Sequence, residues 1–496
     1  MKRNLFAALS AMLVLLSACG GNEGAVTETQ TSAAADTDAV TEAVVGEQYP
    51  REAIDYNGAT FTVLNCIDEL WDGSFHILDY EQETGDSIED GIFNRARNTE
   101  ERFNITLNVI KDELFDLGQI LNKAVMAGDS TYDAAYNSLS GGTPEPLLGK
   151  SGLNLYDIES LHLEDDWWHQ VFIEDATLFR DTLYAMPDFC NLMGYTRTQS
   201  LAFNKNMFDT YDMELPYDLV REGKWTVDKM REYMAQVVNL NGDASFKKSE
   251  ETVNAVYGFG AQHEGSMFSL MAGNGESFIV FDGDGSPVFR EDLSVLESAY
   301  TKLADLFSTD GYGVMKNGNA NSNDGSAMDL FSAGRLLFYC NATGACAAQT
   351  FRDFEFEYGI LPMPKFSEDQ ECYYSAISEY TLSLIVPITA PDPEMTGNII
   401  NYMSFAGKTD IIPELQVALC YKGLRDEDSI EMLNIIMDTI YIDLGYVQSW
   451  STDLSKQLAK QIMSNNLRLA SIAEKNQKKI TKTIERAIED MTEGRE

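Results

Sequence analysis

Trp71 lies between Asp68 and Asp72 in one short polar stretch, and Ser138 and Ser140 stand in another. An indole face packs on C–H groups, while carboxylates and hydroxyls accept from or donate to other hydroxyls. Such sets therefore suit reversible recognition of a polar, hydroxyl-rich solute. Bond-making chemistry finds less support. His76, His162, His169 and His263 are dispersed, with no HExxH or comparable spacing, so no metal site is expected. No GxSxG elbow and no phosphate-cradling glycine loop occurs. Asp282 and Asp284 begin like a calcium loop, but Pro287 stands where that loop needs glycine and Leu293 where it needs glutamate, which leaves a hairpin turn. No cofactor is implied. A carboxylate pair for glycoside hydrolysis stays open as an alternative, because any two of 79 acidic residues can meet in space.

The elements that would position these residues follow from periodicity. Thr60 to Asn65 alternates apolar and polar residues, Glu89 to Phe103 has a helical pattern, and Ile105 to Ile110 alternates again. Phe115 to Ala127 is helical by period, and Tyr132 to Tyr136 reads as a third strand. Strands alternating with helices predict an α/β unit with a mainly parallel sheet, whose ligands sit beyond the carboxyl ends of the strands. The loops to watch are therefore Cys66 to Gly73, with Asp68 and Trp71, and Asn137 to Gly142, with Ser138 and Ser140. Farther on, Thr226 is a good cap for a helix starting near Trp225, and Phe278 to Phe289 reads as a hairpin. Helices are expected over Arg290 to Leu306 and Pro393 to Phe405, with a long helical tail from Trp450 to Met491.

At the amino terminus, Lys2 and Arg3 precede an apolar run from Leu5 to Leu16, too short to cross a hydrocarbon core of roughly 30 Å. Residues 1–18 read as a signal peptide. Leu16-Ser17-Ala18-Cys19-Gly20 resembles a lipobox, which implies cleavage before Cys19 and acylation, palmitate included, of that residue. Several acyl chains hold a protein at a membrane where one would not. Residues 19–49 complete the lipidated Cys and a flexible linker, and the rest is long enough for at least two compact units. The net charge of −43, with no basic stripe visible along the sequence, argues against nucleic acid as a partner. Cys66, Cys190, Cys340, Cys346, Cys372 and Cys420 form no CxxC pair, and spacing identifies no disulfide.

Four stretches carry a family resemblance. Leu183-Tyr184-Ala185-Met186-Pro187 with Leu201 to Phe208, Leu215-Pro216 with Lys224-Trp225-Thr226, Phe331 to Tyr339 with Gly344, and Tyr358 to Pro364 occur in that order. Together they resemble the family-1 extracellular solute-binding proteins, the group of maltose-binding and other sugar-binding receptors. Phe203 departs from the usual Tyr, Trp225-Thr226 inverts the usual order, and Asn341 to Gly344 lacks a Trp common in relatives. The resemblance implies an α/β, bilobal periplasmic-binding-protein-like fold of type II, with a hinge of segments crossing near Tyr184 to Met186, near Glu357 to Leu361 and after about Phe405. Lobe one would hold 58–183 plus 362–405, and lobe two 184–361 plus 406–496. It also implies a non-enzymatic, monomeric receptor that captures a small solute, a sugar or oligosaccharide, and docks on the permease subunits of an ABC importer. The alternatives are a secreted carbohydrate-active enzyme and a surface adhesin or scaffold. Ser138, Ser140, Arg197 and Trp450 fall where relatives place cleft contacts, Trp450 as a stacking aromatic, and Glu379 and Tyr380, before the strand at Thr381, are expected to point into the cleft.

Overall fold

Strand and helix alternate from the start of the body in the computed structural model, which describes residues 48–67, 75–138, 151–178, 182–246, 253–261, 264–315, 326–424 and 426–492. β1 (Ala59–Ile67), α1 (Ser87–Phe103), β2 (Ile105–Glu113), α2 (Leu114–Met126) and β3 (Ala134–Ser138) follow in order. Local chemistry sets the ends of α1. The Asp86 carboxylate accepts from the N–H groups of Ile88 and Glu89, and Asn104 closes the helix in the left-handed region at φ 46°. β1 pairs in parallel with β2 on one side and β3 on the other, so that Val63 lies opposite Val109 and Ala134. Phe61 to Cys66 are buried without interruption, as a central parallel strand covered on both faces requires.

The chain continues through β4 (Gln199–Asn204), β5 (Tyr257–Ala261), β6 (Ile279–Phe281), β7 (Pro287–Phe289), β8 (Gly313–Met315), β9 (Leu336–Ala342), β10 (Tyr358–Leu361), β11 (Ser375–Ala376), β12 (Leu382–Ile385) and β13 (Ile440–Tyr441). A second sheet has the order β10-β4-β9-β5-β8, antiparallel across β10, β4 and β9 and parallel across β9, β5 and β8. β12 then returns to the first sheet, antiparallel to β3, and completes the order β12-β3-β1-β2. β6 and β7 form the expected hairpin, where Asp282 Oδ1 accepts from the N–H groups of Asp284 and Ser286.

Three stretches link the two sheets. In the first, Met186 bridges to Leu384 of β12 and Thr198 bridges to Ile377, just before β4 begins. The second runs from β10 to β12, and Lys365 within it exchanges backbone hydrogen bonds with Trp225 and Val227. The third is one unbroken helical run. It is α-helical over Pro393–Ala406, widens to π over Gly407–Ile411, narrows over Ile412–Val417 and widens again over Ala418–Leu424. Its first part packs on α1 and its last part on β10. Gly407 makes the contact with the first stretch possible, because a Cβ there would stand 2.0 Å from the Phe189 carbonyl oxygen. Beyond this run, the expected single tail is two helices, Thr452–Met463 and Leu469–Thr492, parted where Asn465 takes a left-handed φ of 49°. Among the described residues Cys66, Cys190, Cys340, Cys346, Cys372 and Cys420 form no disulfide, and all but Cys372 are buried. Among the described residues no helix is long and apolar enough to cross a membrane.

Candidate functional site

The carboxyl end of β3 sets one wall of the site. Ser138 is fully buried and lies opposite Leu382 of β12, so the turn that feeds β12 is held beside it. That turn, Ser378-Glu379-Tyr380-Thr381, is shaped locally: Thr381 N–H donates to the Ser378 carbonyl at 3.0 Å, and Tyr380 N–H to Ser378 Oγ at 3.2 Å. Ser378 N–H in turn donates to the Arg197 carbonyl at 3.1 Å, which fixes the approach to β4 against the same turn. The end of β9 arrives through Thr343, whose N–H donates to Thr198 O at 2.9 Å and whose hydroxyl donates to Tyr195 O at 2.6 Å.

A third wall comes from the carboxyl-terminal part. Ile377 N–H donates to Tyr441 O of β13 at 3.2 Å. Just after β13, the Asp443 carboxylate caps the short helix Leu444–Val447 by accepting from Tyr446 N–H at 2.9 Å. That cap aims the Tyr446 ring flat onto Phe268, with centroids 3.7 Å apart and planes within 5°. From the next helix Lys456 Nζ reaches to 3.8 Å from Glu379 Oε1, a loose pair for a carboxylate only 5% exposed.

Electrostatics and hydrogen bonding mark this junction. Burial, then the Glu379 carboxylate, raise the Tyr446 phenol well above its ordinary pKa, and the same two causes raise Tyr380. Burial pushes Asp443 up to about 6 although it accepts the cap hydrogen bond. Glu379 and Tyr446 are close, yet no hydrogen bond of acceptable geometry joins them: the Tyr446 hydroxyl, Trp450 Nε1, Thr381 Oγ1 and Ser455 Oγ are all buried without a partner. Buried polar atoms are nearly always satisfied, so four such atoms on segments that meet at one junction single it out as a candidate site.

Of the residues singled out from the sequence, Ser138, Arg197, Glu379 and Tyr380 are brought to this junction, Arg197 half-buried. Trp450 sits between Tyr446 and the helix Thr452–Met463, its ring packed into the core and 5% exposed. Asp68, Trp71, Ser140 and Cys19 lie outside the described residues. Tyr446, Phe268, Asp443, Thr381 and Lys456 were not legible as site residues. The one available signal was Tyr446 standing a helical turn before Trp450. Two other tryptophans serve packing. Trp225 Nε1 donates to Pro362 O at 3.0 Å, and Trp168 Nε1 donates to Leu161 O and His162 O. Among the described residues no group of His, Cys, Asp and Glu could hold a metal ion.

No family model and no curated protein sequence matches the chain. Solved structures do match. UspC of M. tuberculosis superposes with a TM-score of 0.57 at 14% identity, covering 86% of this chain and 100% of its own. The ABC substrate-binding protein Lmo0181 of Listeria monocytogenes, solved in complex with cycloalternan, gives 0.55 at 14% identity over 86% and 100%. The GacH receptor of Streptomyces glaucescens, solved unliganded and in complex with acarbose and an acarbose homolog, gives 0.54 at 13% identity over 86% and 99%. This chain therefore has the bilobal, mixed α/β fold of the solute-binding proteins of ABC transporters.

Proposed function

We propose that the protein is the extracytoplasmic solute receptor of an ABC importer, held at the membrane by lipid on Cys19, and that it captures a carbohydrate between two lobes. The first lobe is built on the sheet β12-β3-β1-β2 and the second on β10-β4-β9-β5-β8. The observation that carries this reading is the junction of Ser138, Glu379, Tyr380, Tyr446 and Trp450, where unpartnered buried donors and acceptors stand beside a stacked aromatic pair. The fold shared with receptors solved around acarbose and cycloalternan supports it. The receptor works as a monomer, uses no cofactor, cuts nothing, and presents its ligand-bound form to permease subunits.

A thermal-shift screen against sugars, oligosaccharides and polyols tests the reading. A ligand present at 100 times its dissociation constant adds about 2.7 kcal/mol to stability. Tyr446→Phe deletes one unpartnered donor while keeping the ring. It should leave the ligand-free melting temperature within a few degrees and weaken binding roughly fivefold, since a net hydrogen bond is worth about 1 kcal/mol. A panel in which no compound raises the melting temperature would remove the carbohydrate assignment, and oligosaccharides recovered shortened after incubation would favour an enzyme. Acyl mass on Cys19 of the membrane-extracted protein tests the anchor.

A further inference from the structure

The linear sequence shows no basic stripe, but the fold assembles one. Between residues 456 and 486 stand eight Lys and Arg residues against two acids, in a chain of net charge −43. The helix Leu469–Thr492 buries Leu469, Ala473, Ile480, Ile484 and Ala487 against the body. Lys475, Lys478, Lys479, Lys482 and Arg486 recur at i, i+3, i+4, i+7 and i+11 and therefore share the opposite face, where all five are exposed. Spacing scatters these cations along the chain, and the 3.6-residue turn gathers them. The same face also carries the exposed Glu489, at i+14, and Lys479 pairs with Asp453 at 3.3 Å with both partners about three-quarters exposed, so solvent screens that pair.

We propose that this face docks on an anionic phospholipid surface and orients the anchored receptor. The proposal rests on the extracytoplasmic, lipid-anchored reading above. Charge complementarity selects the occupant. A body this acidic is repelled by a negative membrane, least so on a face where cations are concentrated, and a polybasic helix face gains attraction with each Lys or Arg near the headgroups. The linker of residues 19–49 adds the second condition. A random coil of that many residues would span about 30 Å on average, so that a weak attraction at high effective concentration would be enough to fix orientation. The apolar side of the helix is already spent on the protein core, so contact is electrostatic, without insertion.

The test uses the unlipidated chain from Gly20 onward, which keeps the whole compact unit Gly46–Glu496. Its sedimentation is measured with vesicles of phosphatidylcholine alone and of equal parts phosphatidylglycerol and phosphatidylcholine. Binding is expected to the anionic vesicles only, lost at high salt, and weakened about tenfold or more by Lys475→Glu/Lys478→Glu/Lys482→Glu, with Lys→Gln at the same sites intermediate. Unchanged circular dichroism and melting temperature establish that the variants are folded. Equal sedimentation with both vesicles, or retained affinity in the folded Glu variant, overturns the proposal. So does salt-sensitive dimerisation of the parent chain that the variant abolishes, which would make a second, acidic copy the partner. Because no acyl group enters the assay, its result stands apart from whether Cys19 is lipidated.

Discussion

Asp443 is enclosed by the protein while its carboxylate caps the helix that carries Tyr446, and the two roles pull against each other. Its folded pKa of about 6 exceeds the ordinary 3.8. The folded state therefore holds the proton more tightly than the unfolded chain, so this carboxyl disfavours the fold increasingly as pH rises from about 4 through about 6. Asn caps a helix about as well and carries no charge. Asp443→Asn should match the parent near pH 4 and exceed its stability at pH 7 by on the order of 2 kcal/mol, read from urea unfolding at both pH values. A gap that does not change with pH would show a normally titrating group. At this scale legibility was uneven. The positions of Ser138, at the end of a strand, and of Glu379 and Tyr380, just before one, were readable from the period of those strands. Tyr446 and Phe268 could not, because their contact joins distant short segments that no period connects.

The repeat β1-α1-β2-α2-β3 was readable to within three residues because each element has a clean period and, in α1, cap residues that stop it. The run from Pro393 was readable only as its first helix. A π turn leaves the same apolar residue types as an α turn, so its two widenings leave no mark in composition. Gly407, where the first widening begins, sits at an ordinary helical φ of −59°, so space alone demands glycine there. Gly407→Ala should destabilise the protein by about 1–3 kcal/mol, at the upper end because the obstructing atom is backbone. Urea unfolding checks it, with Gly283→Ala as a neutral companion, since a Cβ there meets nothing within 4 Å. A neutral Gly407→Ala would mean that the connection between the helical run and Phe189 is looser than the packing implies.

For the whole molecule, the order of degenerate motifs behind a signal-like leader was enough to foresee the bilobal fold, although no single motif was diagnostic. The pairings that hold the first crossing in place, Met186 with Leu384 and Thr198 with Ile377, join distant segments and leave no local mark in sequence. If the two lobes close on a guest, the radius of gyration from solution scattering should fall on addition of saturating ligand. An unchanged radius with a ligand that raises the melting temperature would point to a rigid receptor.

The return of β12 to the first sheet has a consequence for how the protein is made. β3 has no neighbour on its open side until Leu382–Ile385 has been synthesised, whereas the strands of the other sheet all lie between Gln199 and Leu361. The earlier-synthesised layer must therefore finish last, and it closes by a long-range pairing of the slow kind. Until then it exposes an unpaired edge open to mispairing with other chains.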